Sequence, residues 1–280
     1  MPQFIWLNTT QNTRRAFSSR SGFTLTAYSG LSIPGKDHLS ARGPRQHGAT
    51  YIATYFQPRE FTLELAMAGC SMAELQDKHR RLARSMNPLD DAQLLVIAED
   101  ESRYYLTCRL AAALELVVAD SRVAQILAQC IADDPFFYST ILQTVALLTA
   151  ASAALVIPFL IPGRIGGNLE DLTVTNNGQV FVYPVLVFNG VADDVRMYNL
   201  TTGQTLEIDE PIGAGETLTV DMGARTAVID DGVTQRNVVA SAVGDWWALQ
   251  VGDNDLTFVS NNAAAMTGSL SFRERFLAVV

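Results

Sequence analysis

Apolar and polar residues alternate over the first seventy positions, which is the period of a half-buried β-strand. Phe23–Tyr28, Tyr51–Tyr55 and Phe61–Leu65 follow it; in the last run Phe61, Leu63 and Leu65 share one face, with Thr62 and Glu64 on the other. Residues 34–48 are rich in Pro, Gly, Arg and His and read as a long loop. Then the period changes. Met72, Leu75, His79, Leu82 and Met86 recur at spacings of three and four, giving one apolar stripe on a helix over about 71–87. Ser71 and Glu74 form an S-x-x-E capping box, in which each side chain can satisfy an orphan amide of the first turn. Asn87-Pro88 ends the helix, because the residue before proline disfavours helical geometry. Beyond it, Gln93–Ala98 and Arg103–Leu110 read as a hairpin around the turn Glu99-Asp100-Glu101-Ser102, followed by strands at about 114–118 and 123–132.

The second half reads as nearly all β. Asn176-Asn177-Gly178, Asn189-Gly190, Thr201-Thr202-Gly203 and Asp231-Gly232 interrupt it roughly every ten to fifteen residues, the spacing of a sandwich. Gly163 to Asn168 is the best boundary between two domains, placed at 1–165 and 166–280. Before it, 141–162 is largely apolar and long enough to cross a bilayer. Its interior Gln143, Thr144, Thr149 and Ser152, its prolines at 158 and 162, and the lack of Lys or Arg flanking its start argue instead for a buried strand and connector, with no stable membrane span. The fold class is mainly β with one clear helix.

Charge sharpens the division. The chain of 280 residues has a net charge of −9. Residues 1–140 hold 14 Lys+Arg against 14 Asp+Glu, whereas 141–280 hold 6 against 15, so the whole excess lies in the second half. Phosphate binding needs clustered cations, so that half is not a nucleic-acid grip. Charged residues are 18% of the total, suiting a subunit that hides surface in an assembly. Cys70, Cys108 and Cys130 are far apart and without metal-ligand spacing, and read as free thiols of a reducing compartment. Met1-Pro2-Gln3-Phe4 lacks the charged and apolar regions of a secretory signal, so none is expected.

Catalytic constellations are not found. His38, His47 and His79 lie in no zinc-protease spacing, and no nucleophile elbow, phosphate loop or dinucleotide fingerprint occurs. His79 on the helix stripe reads as a core or interface histidine. The acidic pairs Asp193-Asp194, Asp209-Glu210, Asp230-Asp231 and Asp253-Asn254-Asp255 read as solvated turns, since no closing Glu completes a calcium loop; no cofactor or metal is expected. In Trp246-Trp247, adjacent strand residues face opposite ways, which makes Trp247 core and leaves Trp246 as the weak candidate for a sugar contact. Arginines outnumber lysines in the first half, and with balancing acids they read as interface ion-pair residues. Arg80, Arg81 and Arg84 lie off the apolar stripe and are assigned, with His79, to a subunit interface.

The ordered set of motifs resembles the distal tail proteins of phages with long non-contractile tails. It runs through Asn176-Asn177-Gly178, Tyr183 to Gly190, Asn199 to Gly203, Gly215 to Asp221, Trp247-Ala248-Leu249 and Gly252-Asp253-Asn254, and the Asp-Pro-aromatic run at 134–137 is similar to the close of that family's first domain. The resemblance implies a non-enzymatic protein with a β-rich belt domain and a galectin-like sandwich. It further implies a homohexameric ring between the tail tube protein and the hub or tail-tip proteins, with receptor-binding proteins beyond. DNA would pass through without specific binding. Such a protein is made in the host cytoplasm and resides in the virion at the tail tip. The alternative is a carbohydrate-binding or adhesin module.

Overall fold

A computed structural model of the chain describes residues 2–120, 122–147, 167–260 and 266–279. Two compact units divide it, one running to residue 140 and resuming at 276, the other covering 141–275.

The first unit follows from strands that bury alternate side chains. Its elements are β1 (Gln3–Asn8), β2 (Thr13–Ala16), β3 (Phe23–Ser29), β4 (Lys36–Ala41), β5 (Thr50–Phe56), β6 (Arg59–Ala68), α1 (Met72–Ser85), β7 (Ala92–Ile97), β8 (Arg103–Leu110), β9 (Glu115–Asp120), β10 (Val123–Ala132) and β11 (Phe137–Ser139). β6 and β10 pair antiparallel over ten positions, from Arg59↔Ala132 to Ala68↔Val123. Phe61, Leu63, Leu65 and Met67 point inward from β6, and Ala124, Ile126, Ala128 and Cys130 from β10. β3 flanks β6 and β9 flanks β10, making a four-stranded sheet. A second run, β2-β1-β7-β8, joins it at a corner where Leu110 pairs with Cys130. Burial pushes the Cys108 thiol far up and that of Cys130 to about 12, so both are inert neutral core residues at ordinary pH. Cys70 is exposed.

α1 packs by its stripe: Leu75, Leu82 and Met86 are each 2% exposed or less. Met72 departs from the expectation. As the first helical residue it remains 41% exposed, and Ser85 is buried instead. The helix end is docked on β1, because Ser85 O accepts from the Trp6 indole at 3.0 Å and from Asn8 Nδ2 at 3.2 Å, satisfying a terminal carbonyl. At the other end Ser71 Oγ accepts from Glu74 N at 3.3 Å. The return contact shifts by one residue, as Glu74 Oε2 accepts from Cys70 N at 2.7 Å rather than from Ser71 N. Lys78 pairs with Glu74 at 2.8 Å, and its hydrogen bond to the Glu74 carboxylate is the chief cause holding that group below its usual range. Ser71→Ala should cost about 1 kcal/mol in denaturant titration, with Ser71→Asn close to the parent. No loss with Ala would show that the Glu74 contact alone caps the helix.

The span read as a loop, 34–48, departs further. β4 lies in it and pairs with β5 into a separate two-stranded arm, Lys36↔Phe56 to Ala41↔Thr50. All six β4 residues are exposed, so no buried face imposes an apolar period and the strand is silent in the sequence pattern. At the arm's root, Gly30 has φ +79° and a Cβ there would lie 2.3 Å from Glu60 O, which no other residue type tolerates.

The second unit is a two-sheet sandwich. Its strands are β12 (Gln143–Leu147), β13 (Gly167–Asn176), β14 (Val185–Asn189), β15 (Val195–Asn199), β16 (Gln204–Ile208), β17 (Thr217–Asp221), β18 (Thr226–Asp230), β19 (Gln235–Asn237), β20 (Ala242–Gly244), β21 (Gly252–Ser260) and β22 (Thr267–Phe272). One sheet has the order β12-β22-β14-β17-β18-β19, the other β13-β21-β15-β16-β20. Leu186, Phe188, Leu218 and Leu270 from the first meet Met197, Leu206, Leu256 and Phe258 from the second in one core. Three asparagines of the sequence motifs (Asn176, Asn199 and Asn254) are fully buried and hold turns. Asn176 Oδ1 accepts from Gly178 N at 3.0 Å, Asn199 Nδ2 donates to Ala248 O at 3.2 Å, and Asn254 Nδ2 donates to Gln250 O at 2.8 Å. Their recurrence in the motif set is therefore a matter of turn geometry.

The units divide at 140/141, earlier than the sequence boundary at 165/166. Gln143–Leu147 is an edge strand paired with β22, so this part of the 141–162 segment belongs to the sandwich. An apolar run carries no mark of which sheet edge it completes. The rest of that segment lies outside the described residues.

Candidate interaction surfaces

Three surfaces of the first unit and one segment of the second bear on function. The first is the exposed arm. Leu39, Tyr51, Ile52 and Tyr55 are each at least half exposed on β4 and β5. His38 Nδ1 lies 2.9 Å from Thr54 Oγ1, and the Tyr51 hydroxyl donates to the same oxygen, so the arm has its own polar ties. A lone two-stranded hairpin is marginal in water, and a cluster of exposed apolar side chains marks an interaction surface. The sequence pattern missed these aromatics; their signal was a Tyr-Ile-Ala-Thr-Tyr run beside a segment without a core face.

The arm's root is held by Arg59, 1% exposed. Its Nε donates to Pro135 O at 2.8 Å, Nη1 to Gly30 O at 3.3 Å and to Ser32 O, and Nη2 to Leu277 O at 2.7 Å. The guanidinium lies 4.9 Å from the centre of the Phe137 ring. Burial pulls its pKa down to about 10, so it is charged at neutral pH and carbonyl dipoles meet that charge. The available sequence signal was parity: Arg59 falls on the same face as Phe61, Leu63 and Leu65.

The second surface is the outer face of β9-β10-β6-β3. Leu127 of β10 pairs with Glu64 of β6 and Glu115 of β9, which places both carboxylates in one row across the sheet. Glu60, Thr62, Gln125 and Gln129 extend that face. The only Lys or Arg in the four strands is Arg59, which points inward. Among the described residues β3 pairs only with β6 and β9 only with β10, so both edges of this sheet are open.

The third surface is α1, where the structure separates residues grouped by the sequence reading. Arg81 pairs with Asp77 at 2.5 Å one turn earlier. Arg80 and Arg84 are exposed and, among the described residues, make no ion pair. His79 is half-buried, and its Nε2 is buried with no hydrogen-bond partner among them.

In the second unit Trp247 is fully buried, with its indole N–H unpartnered among the described residues. Trp246 is half-buried and packs against the same core. The acidic pairs are spent on turns and ion pairs: Asp231 Oδ1 accepts from Val233 N and Thr234 N, Asp194 meets Arg196, and Glu210 meets Arg236. No group of three metal-binding side chains occurs among the described residues. Nor is any described helix long and apolar enough to cross a membrane.

Comparison with known proteins follows the same division. No curated protein sequence matches the chain. The Dit (gp19.1) protein of phage SPP1, described as a paradigm of the hub adsorption apparatus in phages infecting Gram-positive hosts, superposes with a TM-score of 0.71 at 14% identity, over 98% of this chain and 99% of that one. A chain of the phage P2 baseplate in its calcium-activated conformation gives 0.52 at 10% identity, each chain covered completely. Identities this low establish a shared fold. Sequence adds the family over one segment, because residues 177–276 match the model of the siphovirus-type tail component, C-terminal domain. Residues 177–276 thus match the siphovirus-type tail component family, within a chain that shares the fold of the Dit hub protein over 98% of its length.

Proposed function

We propose that this chain is a non-enzymatic structural subunit of a phage tail tip. Six copies form a ring that joins the tail tube to the hub and host-recognition proteins, and DNA passes through its channel. The observation that carries the reading is the sheet β9-β10-β6-β3, with two open edges and an outer face bearing Glu60, Glu64 and Glu115 but no cation. Open edges are a liability for a monomer and are removed when neighbours close a ring head to tail. A wall without cations suits DNA in transit, since clustered Lys or Arg would hold the phosphates. The arm supports the same reading, because its exposed apolar side chains need cover that a neighbouring copy supplies. The protein would then act in the virion, at the tail tip, after synthesis in the host cytoplasm.

Native mass spectrometry of the full chain tests this directly. The expected species is six times the 30.5 kDa chain, weakened when Tyr51 and Tyr55 are both replaced by Ser. A strict monomer at working concentration overturns the ring.

A further inference from the structure

A cup of about 500 Å³ opens beside α1, and nothing in the ring reading so far uses it. Its helix wall is His79, Ala83 and Met86; the facing wall is Leu110, Leu114 and the alanines between them. The lining is apolar except for His79, whose buried Nε2 has no partner among the described residues. A buried polar atom left unpaired at the wall of an open cup can take a partner from outside. Arg80 and Arg84 each follow a lining residue by one position and stand one turn apart, so they share a face beside the cup. Like charges at that spacing oppose the helix, and neither has an anion among the described residues, in contrast to Arg81 on Asp77. An apolar cup, an unpaired imidazole nitrogen and two unpaired guanidinium groups fit an acidic segment that presents one apolar side chain.

We infer that this cup receives the Asp230–Thr234 turn of a second copy of the chain. Charge selects the occupant. The arm, residues 34–57, carries Lys36, Arg42 and Arg45 against Asp37 alone and would be repelled by Arg80 and Arg84. The second half carries 15 acids against 6 cations and is attracted. Within it Val233 is 91% exposed, the highest value among the described large apolar side chains of that unit. It sits in the turn between β18 and β19, beside Asp230 and Asp231. The turn is already ordered. Asp231 Oδ1 accepts from Val233 N at 2.8 Å and Thr234 N at 2.6 Å, and Asp230 Oδ1 accepts from Gly232 N at 2.7 Å. A preformed plug loses little freedom on docking, and each carboxylate keeps lone pairs for Arg80, Arg84 or His79. The isopropyl group of Val233 then enters the cup between Ala83 and Leu110, with the rest of the turn over its mouth.

The inference rests on the ring reading, and its test separates the two. In full-length protein with Cys70→Ser, the pair Ala83→Cys and Val233→Cys is oxidised and run on a denaturing gel. A ladder of inter-chain species is expected, absent from either single cysteine. In parallel, Ala83→Trp, which fills the cup, and Arg80→Glu with Arg84→Glu should each raise the concentration for half-assembly at least tenfold. Both variants should retain the parent circular dichroism. An assembly of unchanged mass with no ladder, in which both variants assemble like the parent, overturns the docking site and leaves the ring standing. A parent chain that is monomeric and gives no ladder overturns both.

Discussion

Arg59→Met is expected to destabilise the first unit by on the order of 3–5 kcal/mol, because each buried acceptor that loses its donor costs roughly 1–3 kcal/mol. Methionine retains much of the aliphatic stem but donates nothing to Gly30 O, Ser32 O or Pro135 O. Differential scanning calorimetry should show the transition of that unit falling by roughly 10 °C, with the sandwich transition unmoved. The pH dependence follows from the depressed pKa. Folded Arg59 releases its proton near 10, below the ordinary 12.5, so between those values the unfolded chain binds more protons and stability rises with pH. Below about 10 both states are fully protonated, and the deficit of the variant should be flat from pH 5 to 9. A loss under about 1 kcal/mol would mean that water replaces the guanidinium, and the root of the arm would then not depend on it.

Leu82→Ala is the second large effect, about 2–5 kcal/mol. Leu82 is fully buried, in the cluster that holds Trp6, Leu75 and Met86, and the helix end above it is pinned by the Trp6 and Asn8 bonds to Ser85 O. With the ends pinned, the helix cannot settle into the space left by the missing side chain, which places the cost toward the upper part of the range. Arg81→Glu provides the contrast: its exposed pair with Asp77 contributes only a few tenths of a kcal/mol, so the subunit should melt within about 1 °C of the parent. Urea titration of both variants decides. If Leu82→Ala were neutral while Arg81→Glu unfolded the protein, the buried and exposed faces of the helix would be exchanged.

What the residues disclosed depended on whether a buried face stood behind them. β6, α1 and the β7–β8 hairpin were legible because half of their side chains enter a core, and the helix also had Ser71 at its N-cap and Pro88 beyond its end. The turns at Asn176, Asn189 and Asp231 were legible through residues that accept unusual backbone geometry. β4 was not, since a strand exposed on both faces has no period to read. Among the interface candidates, Arg80, Arg81 and Arg84 looked equivalent in one dimension; only the position of Asp77 distinguishes Arg81. The cup beside His79 draws on Leu110 and Leu114, more than thirty residues away and brought alongside by the sheet corner. No local pattern could join them.

The return of residues 276 onward to the first unit makes the sandwich an insertion, and this has a mechanical consequence. Both ends of the chain belong to the same unit, so tension applied between them runs first through that unit. The tail is tied there by the bond from Arg59 to Leu277 O, by the pairing of Arg275–Phe276 with Phe137–Ser139, and by the Phe276 ring, seated 5.0 Å from that of Tyr104. Until these ties break, tension between the first strand and residue 276 is carried by the first unit alone. The sandwich therefore comes under such load only after these ties have given way.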